Sequence, residues 1–347
     1  MALRLTLMPG RRFSPIGVEL AAGGMRAVQL RRTARGWTLL DRVELTRPDP
    51  ARPYDLQDAR RLAATLARRR FTGHRVVVSL PHRDTVRGLL EVTHEKGGDP
   101  LSIAAQDVER THQLTPGSYE LAAWLPPVTG QRRQTPVCVT GCTHALAQQL
   151  LQQFDAVGLD ITAVDSRAYA LSRVLDSDTP GAGHITVAID TDADGGELIL
   201  LHGGAVLYQR PLLDAGFDHA RRRLENGRVD ARAAAWALRR CGFADRDSAP
   251  GRRVAEALRA YCTDVAREVH PALDYASRLF TNLPIKRFAL VGECGSVPLL
   301  GYELCQQLRL EPAVTQPPAV VDHQPDATLA VALGLTLHPE EASWAAA

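Results

Sequence analysis

Short apolar runs separated by glycine-containing turns open the chain and predict a set of adjacent strands. The runs are Ile16 to Leu20, Met25 to Leu30 and Trp37 to Leu45. Gly23 and Gly24 separate the first two runs, and Gly36 precedes the third. Apolar runs of this length, broken by glycine, are typical of antiparallel strands joined by tight turns.

The next stretch predicts a helix, a buried strand and then an inserted α/β subdomain over about 82–164. Leu56 to Arg70 carries an apolar stripe at helical spacing, and Arg75 to Leu80 forms an apolar run closed by a proline. Within the insertion, Asp99-Pro100 is typical of a helix start. The insertion further predicts a helix to about Leu114, strands at Tyr119 to Leu125 and Pro136 to Thr140, and a helix at Ala145 to Val157.

The opening pattern returns at His184, which indicates an internal duplication. An apolar run ending at Asp190 is followed by a small-residue turn with Gly195 and Gly196, then by Glu197 to Leu201, a Gly-Gly turn and Val206 to Pro211. In both copies an acidic residue, Glu19 or Asp190, stands just before the small-residue turn. A repeat of this length predicts two related halves, each built on the same strand-turn-strand unit.

The second half then predicts four helices around one more strand, and a short closing helix. The predicted elements are helices Phe217 to Glu225, Asp230 to Cys241 and Val254 to Leu279, a strand Lys286 to Val291, a turn Gly292 to Ser296, and helices Pro298 to Leu308 and Thr328 to Leu337. Residues 339–347 are expected to be a frayed tail.

Composition narrows the class of protein without naming a function. A chain of 347 residues predicts two domain-scale units, and 41 basic against 39 acidic residues give no electrostatic argument for nucleic acid. The six cysteines form no C-x-x-C pair and are interpreted as small buried side chains of a reducing compartment. No stretch predicts a membrane span or a signal peptide, so a cytoplasmic protein is expected, with any membrane location supplied by a partner.

In this order, the motifs resemble those of the actin-like ATPase superfamily, and within it the PilM type of pilus assembly protein. The motifs are IGVELAAGGMRAVQL, ITVAIDTDADGGELILL, EVHPALDY with FALVGECGSVPLL, and AVALGLTL; RVVVSLP followed by an insertion is similar to PilM and FtsA. The resemblance implies a duplicated actin-like (ribonuclease H-like) α/β fold, with two lobes around a central cleft. The first lobe would span 14–183 with the insertion at 82–164, and the second 184–338 with a helical subdomain at 216–263.

The resemblance also implies a site for ATP and Mg²⁺ between two phosphate-binding hairpins. Small residues there let backbone N–H groups approach a phosphate, and carboxylates at the strand ends hold Mg²⁺. The metal-holding residues would be Glu19 and Asp190, and Arg26 stands where the family often has Lys. The other nucleotide-binding residues would be Ala22, Gly23, Gly24, Asp192, Gly195, Gly292, Gly295 and Ser296.

Three loops depart from the family pattern, so two interpretations of this site stay open. Glu19 replaces Asp, Ala21 and Ala22 replace Gly and a hydroxyl residue, and Asp192 replaces Gly near the β and γ phosphates. Glu293 and Cys294 also replace small residues. Either the site binds nucleotide with altered selectivity, or it is a degenerate site whose hairpins persist for the fold; no catalytic residue is predicted.

Two functions of different classes follow. PilM-like proteins are scaffolds that bind the N-terminal cytoplasmic peptide of a bitopic inner-membrane protein of PilN type, which predicts a groove within 82–164 in a pilus or type II secretion-like assembly. The alternative is an ATP-dependent phosphotransferase of the sugar-kinase branch of the fold. That chemistry needs a catalytic Asp. Asp165 precedes a helix at a position that a kinase base could approach, and the N-cap of that helix is its alternative role.

Overall fold

Two five-stranded sheets with the same strand order form the framework of the protein. The computed structural model describes residues 12–93, 99–126, 134–175, 183–225, 229–313, 320 and 326–339. The strands of the first sheet are β1 Ile16–Ala21, β2 Gly24–Thr33, β3 Gly36–Thr46, β4 Arg75–Ser79 and β8 Asp160–Val164. Those of the second are β9 Ile185–Thr191, β10 Gly196–His202, β11 Ala205–Leu212, β12 Ile285–Gly292 and β13 Glu311–Pro312. The first sheet has the order β3-β2-β1-β4-β8, and the second has the order β11-β10-β9-β12-β13.

The predicted duplication is confirmed by the pairing of these strands. In each sheet the first strand of the repeat is antiparallel to the next strand and parallel to the fourth, as in β1 with β2 and β4, and in β9 with β10 and β12. Glu19 lies opposite Arg26, and Asp190 lies opposite Glu197, at the same sequence separation. The two acidic residues therefore occupy equivalent positions of two related lobes.

The inserted subdomain is smaller than the predicted range of 82–164. Its own sheet has the order β5-β7-β6, from β5 Val86–Thr93, β6 Tyr119–Trp124 and β7 Gln134–Thr143. Strand β8 instead lies beside β4 in the first sheet, and the helix before it packs Leu150 and Phe154 into that lobe's core. The separate layer therefore ends near residue 143, because the apolar face of the following helix covers the first sheet.

The helices match the periodic stretches, with corrected ends. They are α1 Leu56–Ala67, α2 Pro100–His112, α3 His144–Asp155, α4 Arg167–Leu175, α5 Phe217–Arg222, α6 Ala231–Cys241, α7 Ala249–Leu279, α8 Leu300–Leu308 and α9 Ala330–Thr336. The predicted N-caps Asp99 and Asp230 each accept backbone N–H groups of the first turn. Helix α7 begins before the predicted Val254, because Ser248 caps it and Pro250 fits its first turn.

Helices α4 and α9 lie between the two sheets and join the lobes through one apolar core. That core contains Val28 and Val77 of the first sheet together with Ala188 and Ile199 of the second. A Cβ added to Gly17 would lie 2.1 Å from the Ala332 carbonyl oxygen, so β1 contacts α9 at backbone distance. This packing places the ends of β1 and β9 close to each other.

The remaining expectations concern the cysteines, membrane-spanning helices and two segments outside the described residues. All six cysteines are buried and free, as expected for small apolar side chains. No helix among the described residues has the length and apolar character that crossing a membrane requires. The predicted tail from residue 340 onward and most of the 126–135 loop lie outside the described residues.

Candidate functional site at the interlobe cleft

The carboxyl ends of the parallel strands in both sheets meet at one place, where ligands bind in open α/β sheets. Six buried charged residues from this region form a group that we name the interlobe charge cluster. Its members are Glu19, Arg26 and Arg167 of the first lobe and Asp190, Asp192 and Glu293 of the second. The cations of this cluster come from the first lobe, and three of its four anions come from the second.

Arg167 lies between the two residues predicted to hold Mg²⁺. Its Nη2 is 2.8 Å from Glu19 Oε1, and its Nε is 2.7 Å from Asp190 Oδ2. Arg167 is the first residue of α4, three positions after the end of β8, and its side chain is only 4% exposed. A guanidinium therefore bridges the two lobes between the predicted metal ligands.

Arg26, predicted to pair with phosphate, is instead paired with carboxylates of the protein. Its Nη1 is 3.0 Å from Glu19 Oε1 and its Nη2 is 3.0 Å from Glu293 Oε1. Its Nε also donates to Glu44 Oε1 on β3. The second oxygen of Glu293 accepts from Arg239 of α6 at 2.7 Å, so this carboxylate connects three elements.

Asp192 contacts the backbone of the opposite hairpin. Its Oδ2 accepts the N–H of Ala22 at 2.6 Å and its Oδ1 accepts the N–H of Gly23 at 3.2 Å. Oδ1 also accepts the N–H of Ala193, which holds the carboxylate in this direction. Backbone N–H groups of a small-residue turn are anion-binding groups, and here an internal carboxylate binds them.

His82 and Glu197 extend the site beyond the residues that the sequence indicated. Glu197 lies directly opposite Asp190 on the neighbouring strand, an arrangement of like charges that is unfavourable alone. His82 Nε2 lies 3.4 Å from Asp190 Oδ2, and its Nδ1 lies 3.5 Å from Glu197 Oε2. Arg87 Nε lies 3.1 Å from Glu197 Oε1, so this guanidinium offsets the repulsion.

Burial and these partners shift the pKa values of the acidic residues in opposite directions. Burial raises the pKa of Glu19 above its usual value, although Arg26 and Arg167 act to lower it. Burial acts in the same sense on Asp190, but Arg167 and His82 outweigh it and hold the pKa of Asp190 below its usual range. The environments of the two equivalent carboxyl groups therefore differ: burial dominates at Glu19, whereas the partners dominate at Asp190.

The remaining predicted site residues line the same region through close backbone contacts. A Cβ on Gly24 would lie 2.5 Å from the Leu45 carbonyl, and one on Gly195 would lie 3.4 Å from the Leu212 carbonyl. Gly292 has a φ of +75° and approaches the Thr191 carbonyl. Gly295 packs against Ala327, and the Ser296 hydroxyl donates to the Glu293 carbonyl. Gly292, Gly295 and Ser296, predicted to bind nucleotide, are thus held by contacts within the second lobe.

The residues present fit ATP and Mg²⁺ poorly, chiefly at the phosphate position. The N–H groups of Ala22 and Gly23 already donate to Asp192, and a Cβ on Gly23 would lie 2.6 Å from Glu293 Oε1. Glu19 Oε2 and Asp190 Oδ1 are buried, and no described residue donates a hydrogen bond to them. The disagreement therefore lies at the phosphate-binding hairpins more than at the two carboxylates.

The position considered for a kinase base has another role. Asp165 Oδ2 lies 2.6 Å from Arg173 Nη1, and Asp165 Oδ1 accepts the N–H of Ser166. Its carboxylate is therefore engaged with an arginine of α4, the helix that follows it. No contact of the described residues favours the phosphotransferase alternative.

A second candidate site is a cavity of about 330 Å³ between the inserted subdomain and the lobes. Its walls include Glu120 and Ala122 of β6, Thr140 and Gly141 of β7, and Leu80 and Tyr169 of the first lobe. Arg167 and Glu197 also line it, and Arg167 Nη1 is buried and has no hydrogen-bond partner among the described residues. The cavity therefore connects to the interlobe charge cluster through Arg167.

Sequence reasoning missed Arg167, His82 and Glu197, although each carried a signal. His82 and Arg167 are charged or polar residues just after the strands β4 and β8, where the carboxyl ends of parallel strands meet. Glu197 stands at the same spacing from Asp190 as Arg26 from Glu19. Comparison of the second strands of the two repeats would have indicated Glu197. Arg167 could be indicated only if β8 was recognised as a strand.

Comparisons with known proteins establish the fold. No family model matches the chain, and a search of curated proteins gives no match. A chain of the PilM–PilN type IV pilus biogenesis complex aligns with a TM-score of 0.71 at 19% identity, over 96% of this chain and 100% of that chain. The ethanolamine utilization protein EutJ from Carboxydothermus hydrogenoformans aligns with a TM-score of 0.53 at 13% identity, over 97% of this chain and 93% of that chain. The protein has the actin-like ATPase fold, as the sequence predicted.

Proposed function

We propose that this actin-like protein is a cytoplasmic scaffold of a type IV pilus or type II secretion-like assembly. It binds the N-terminal cytoplasmic segment of a PilN-like membrane protein, which holds it at the inner face of the cytoplasmic membrane. The single observation that carries the proposal is the likeness, along nearly the whole chain, to a chain of the PilM–PilN complex. Fold likeness alone is an analogy, so the proposal also needs a site on this chain.

The cavity beside β6 supplies such a site. Strand β6 is the last strand of its sheet, and in the described residues it pairs only with β7. Glu120 and Ala122 alternate along β6 and both line the cavity. An extended peptide can therefore add to the free edge of β6 while its alternate side chains enter the cavity.

The wall of the cavity favours a peptide with both apolar and polar side chains. Leu80, Ala122 and Tyr169 offer apolar surface, and Glu120 and Arg167 bring charged groups to the same wall. Polar side chains of the peptide can pair with these groups, which offsets the cost of burying them. The nucleotide cleft is degenerate in this proposal, and its charged residues hold the lobes together instead of binding ATP.

The proposal is tested by filling the cavity and measuring capture of membrane proteins. Tagged wild-type protein is expected to retain a membrane protein from detergent-solubilised membranes, and a synthetic peptide of that protein's N-terminal cytoplasmic segment should compete. Ala122→Trp places an indole in the cavity and is expected to weaken peptide binding by at least about tenfold. Fluorescence anisotropy with the labelled peptide gives the Kd.

Ala64→Trp is the matched control. Ala64 lies on the exposed face of α1, so the same substitution there leaves the cavity unchanged. Equal peptide affinity of the two variants would remove the cavity from the proposal. Failure of every cytoplasmic segment of the captured proteins to bind would remove the scaffold role itself.

A further inference from the structure

We infer that the cleft carries its own anion: the Asp192 carboxylate occupies the anion-binding position of the first hairpin and closes the lobes without nucleotide. This inference concerns the cleft alone and does not depend on the proposed partner. It also assigns a latent site for small oxyanions, which removal of the Asp192 carboxylate exposes. The contacts of Asp192 carry the argument.

The Asp192 carboxylate is buried among hydrogen-bond donors and positive charge. Both of its oxygens accept N–H groups from the turn at Ala22 and Gly23, which belongs to the other lobe. The residue has no exposed surface. A buried carboxylate is stable only where donors and positive charge compensate it, and Arg26 and Arg167 provide that charge.

The shape of the turn explains why an internal group, and not a larger external one, fits there. Ala22 and Gly23 carry little or no side chain, so the carboxylate reaches the backbone. A Cβ on Gly23 would meet Glu293 Oε1 at 2.6 Å and Ala193 Cβ at 3.5 Å. A phosphate would therefore have to displace both Asp192 and Glu293.

The contacts that cross the cleft show which lobe supplies the donors and which supplies the carboxylates. Among the described residues, three contacts of the interlobe charge cluster cross the cleft: Asp192 with the first turn, Glu293 with Arg26, and Asp190 with Arg167. In each of these the first lobe supplies donors and the second supplies a carboxylate. In a nucleotide-binding actin-like ATPase, an external phosphate joins the two hairpins, whereas here carboxylates of the second lobe supply the negative charge.

Truncating the carboxylate tests the inference directly. Asp192→Ala removes one carboxylate group, the size of formate, and leaves the N–H groups of Ala22 and Gly23 without an acceptor. The variant is expected to melt several degrees below the wild type, and sodium formate should recover at least half of that loss relative to sodium chloride at equal ionic strength. Inorganic phosphate is the second probe, and a smaller recovery is expected for it because of its size.

Asp194→Ala is the matched control, since Asp194 lies in the same turn and is exposed. It should melt as the wild type does and show no specific response to formate. A formate-dependent rise of equal size in the two variants would overturn the inference, because it would be a general salt effect. So would an Asp192→Ala protein with unchanged melting temperature.

Amide hydrogen exchange of the wild-type protein decides the question even if Asp192→Ala fails to fold. The N–H groups of Ala22 and Gly23 should exchange as slowly as those of the β1–β2 ladder in the absence of nucleotide. In Asp192→Asn, which keeps the size but loses the charge, their exchange should be at least about tenfold faster. Wild-type exchange as fast as that of the exposed turn at Ala34 would contradict an internally occupied site.

Discussion

The Arg167 guanidinium joins the two lobes, with its Nε 2.7 Å from Asp190 Oδ2 of the opposite lobe. The same side chain contacts Glu19 of its own lobe at 2.8 Å, so it lies where the resemblance places a divalent cation. Burial acts to lower the pKa of Arg167, but the carboxylates of Asp190 and Glu19 outweigh it, so the pKa of this guanidinium lies above its usual value. The single positive charge of Arg167 therefore lies between the carboxylates of Glu19 and Asp190.

Removing Arg167 should destabilise the protein strongly. In Arg167→Met the packing volume is largely kept, but Glu19 and Asp190 lose their shared cation. Uncompensated buried charge of this kind costs about 3 to 5 kcal/mol of the free energy of unfolding. Urea denaturation followed by circular dichroism measures it.

The control for this loss is an exposed arginine pair. Arg42→Ala breaks the pair with Asp326, whose side chains are 49% and 29% exposed, and it should cost no more than about 1 kcal/mol. Comparable losses in the two variants would mean that the charge at Arg167 contributes little to joining the lobes.

Tyr54 should stabilise the first hairpin through its buried hydroxyl. The hydroxyl oxygen lies 2.6 Å from the Ala21 carbonyl oxygen and 2.7 Å from that of Gly24, which flank the turn that contacts Asp192. Tyr54→Phe removes the donor and should lower the free energy of unfolding by about 1 to 3 kcal/mol. Tyr302→Phe changes an exposed tyrosine and should leave stability unchanged, as chemical denaturation can verify.

His82 should make part of the stability depend on pH. Burial and Arg167 lower the pKa of His82, but Asp190 and Glu197 outweigh them, so its pKa in the folded protein lies above the usual value. A raised folded pKa gives stability that is fully present below the unfolded pKa of about 6.5 and is lost as pH rises through the folded pKa. The difference in melting temperature between wild type and His82→Gln should therefore be larger at pH 6 than at pH 9.

The matched substitution for the pH experiment is His112→Gln, at an exposed residue near the end of α2. Its effect on the melting temperature should be small and the same at both pH values. A difference for His82→Gln that grows with pH would show that the imidazole is neutral in the folded protein.

Mg-ATP should leave the melting temperature of the wild-type protein unchanged up to millimolar concentration. The N–H groups that would bind a phosphate already donate to Asp192, so no free anion site is expected. A ligand present at about a hundredfold its Kd would add about 2.7 kcal/mol to the free energy of unfolding, a readily measured shift. A saturable rise at micromolar Mg-ATP would restore the functional interpretation of the site, and a characterised actin-like ATPase serves as positive control.

The candidate site was only partly predictable, and the reason differs from residue to residue. Glu19, Arg26, Asp190 and Asp192 stand in or beside the repeated hairpins, so their common location followed from the duplication. The residues that pair with them from distant parts of the sequence could not be predicted from the duplication. Glu293 contacts Arg26 across 267 positions of sequence, and Arg167 contacts Glu19 across 148, separations over which no local pattern extends.

The sequence by itself determined the fold, because strand periodicity, glycine turns and helix caps act over a few residues and recur in both halves. It also determined which side chains stand at the ends of the repeated strands. Only the tertiary structure decided what those side chains contact, since packing α4 and α9 between the sheets brings distant strand ends together. Whether a buried carboxylate faces a metal, a phosphate or an arginine depends on that packing. In the sequence, Asp192 was therefore only a departure from the family pattern, whereas in the structure its carboxylate binds the N–H group of Ala22.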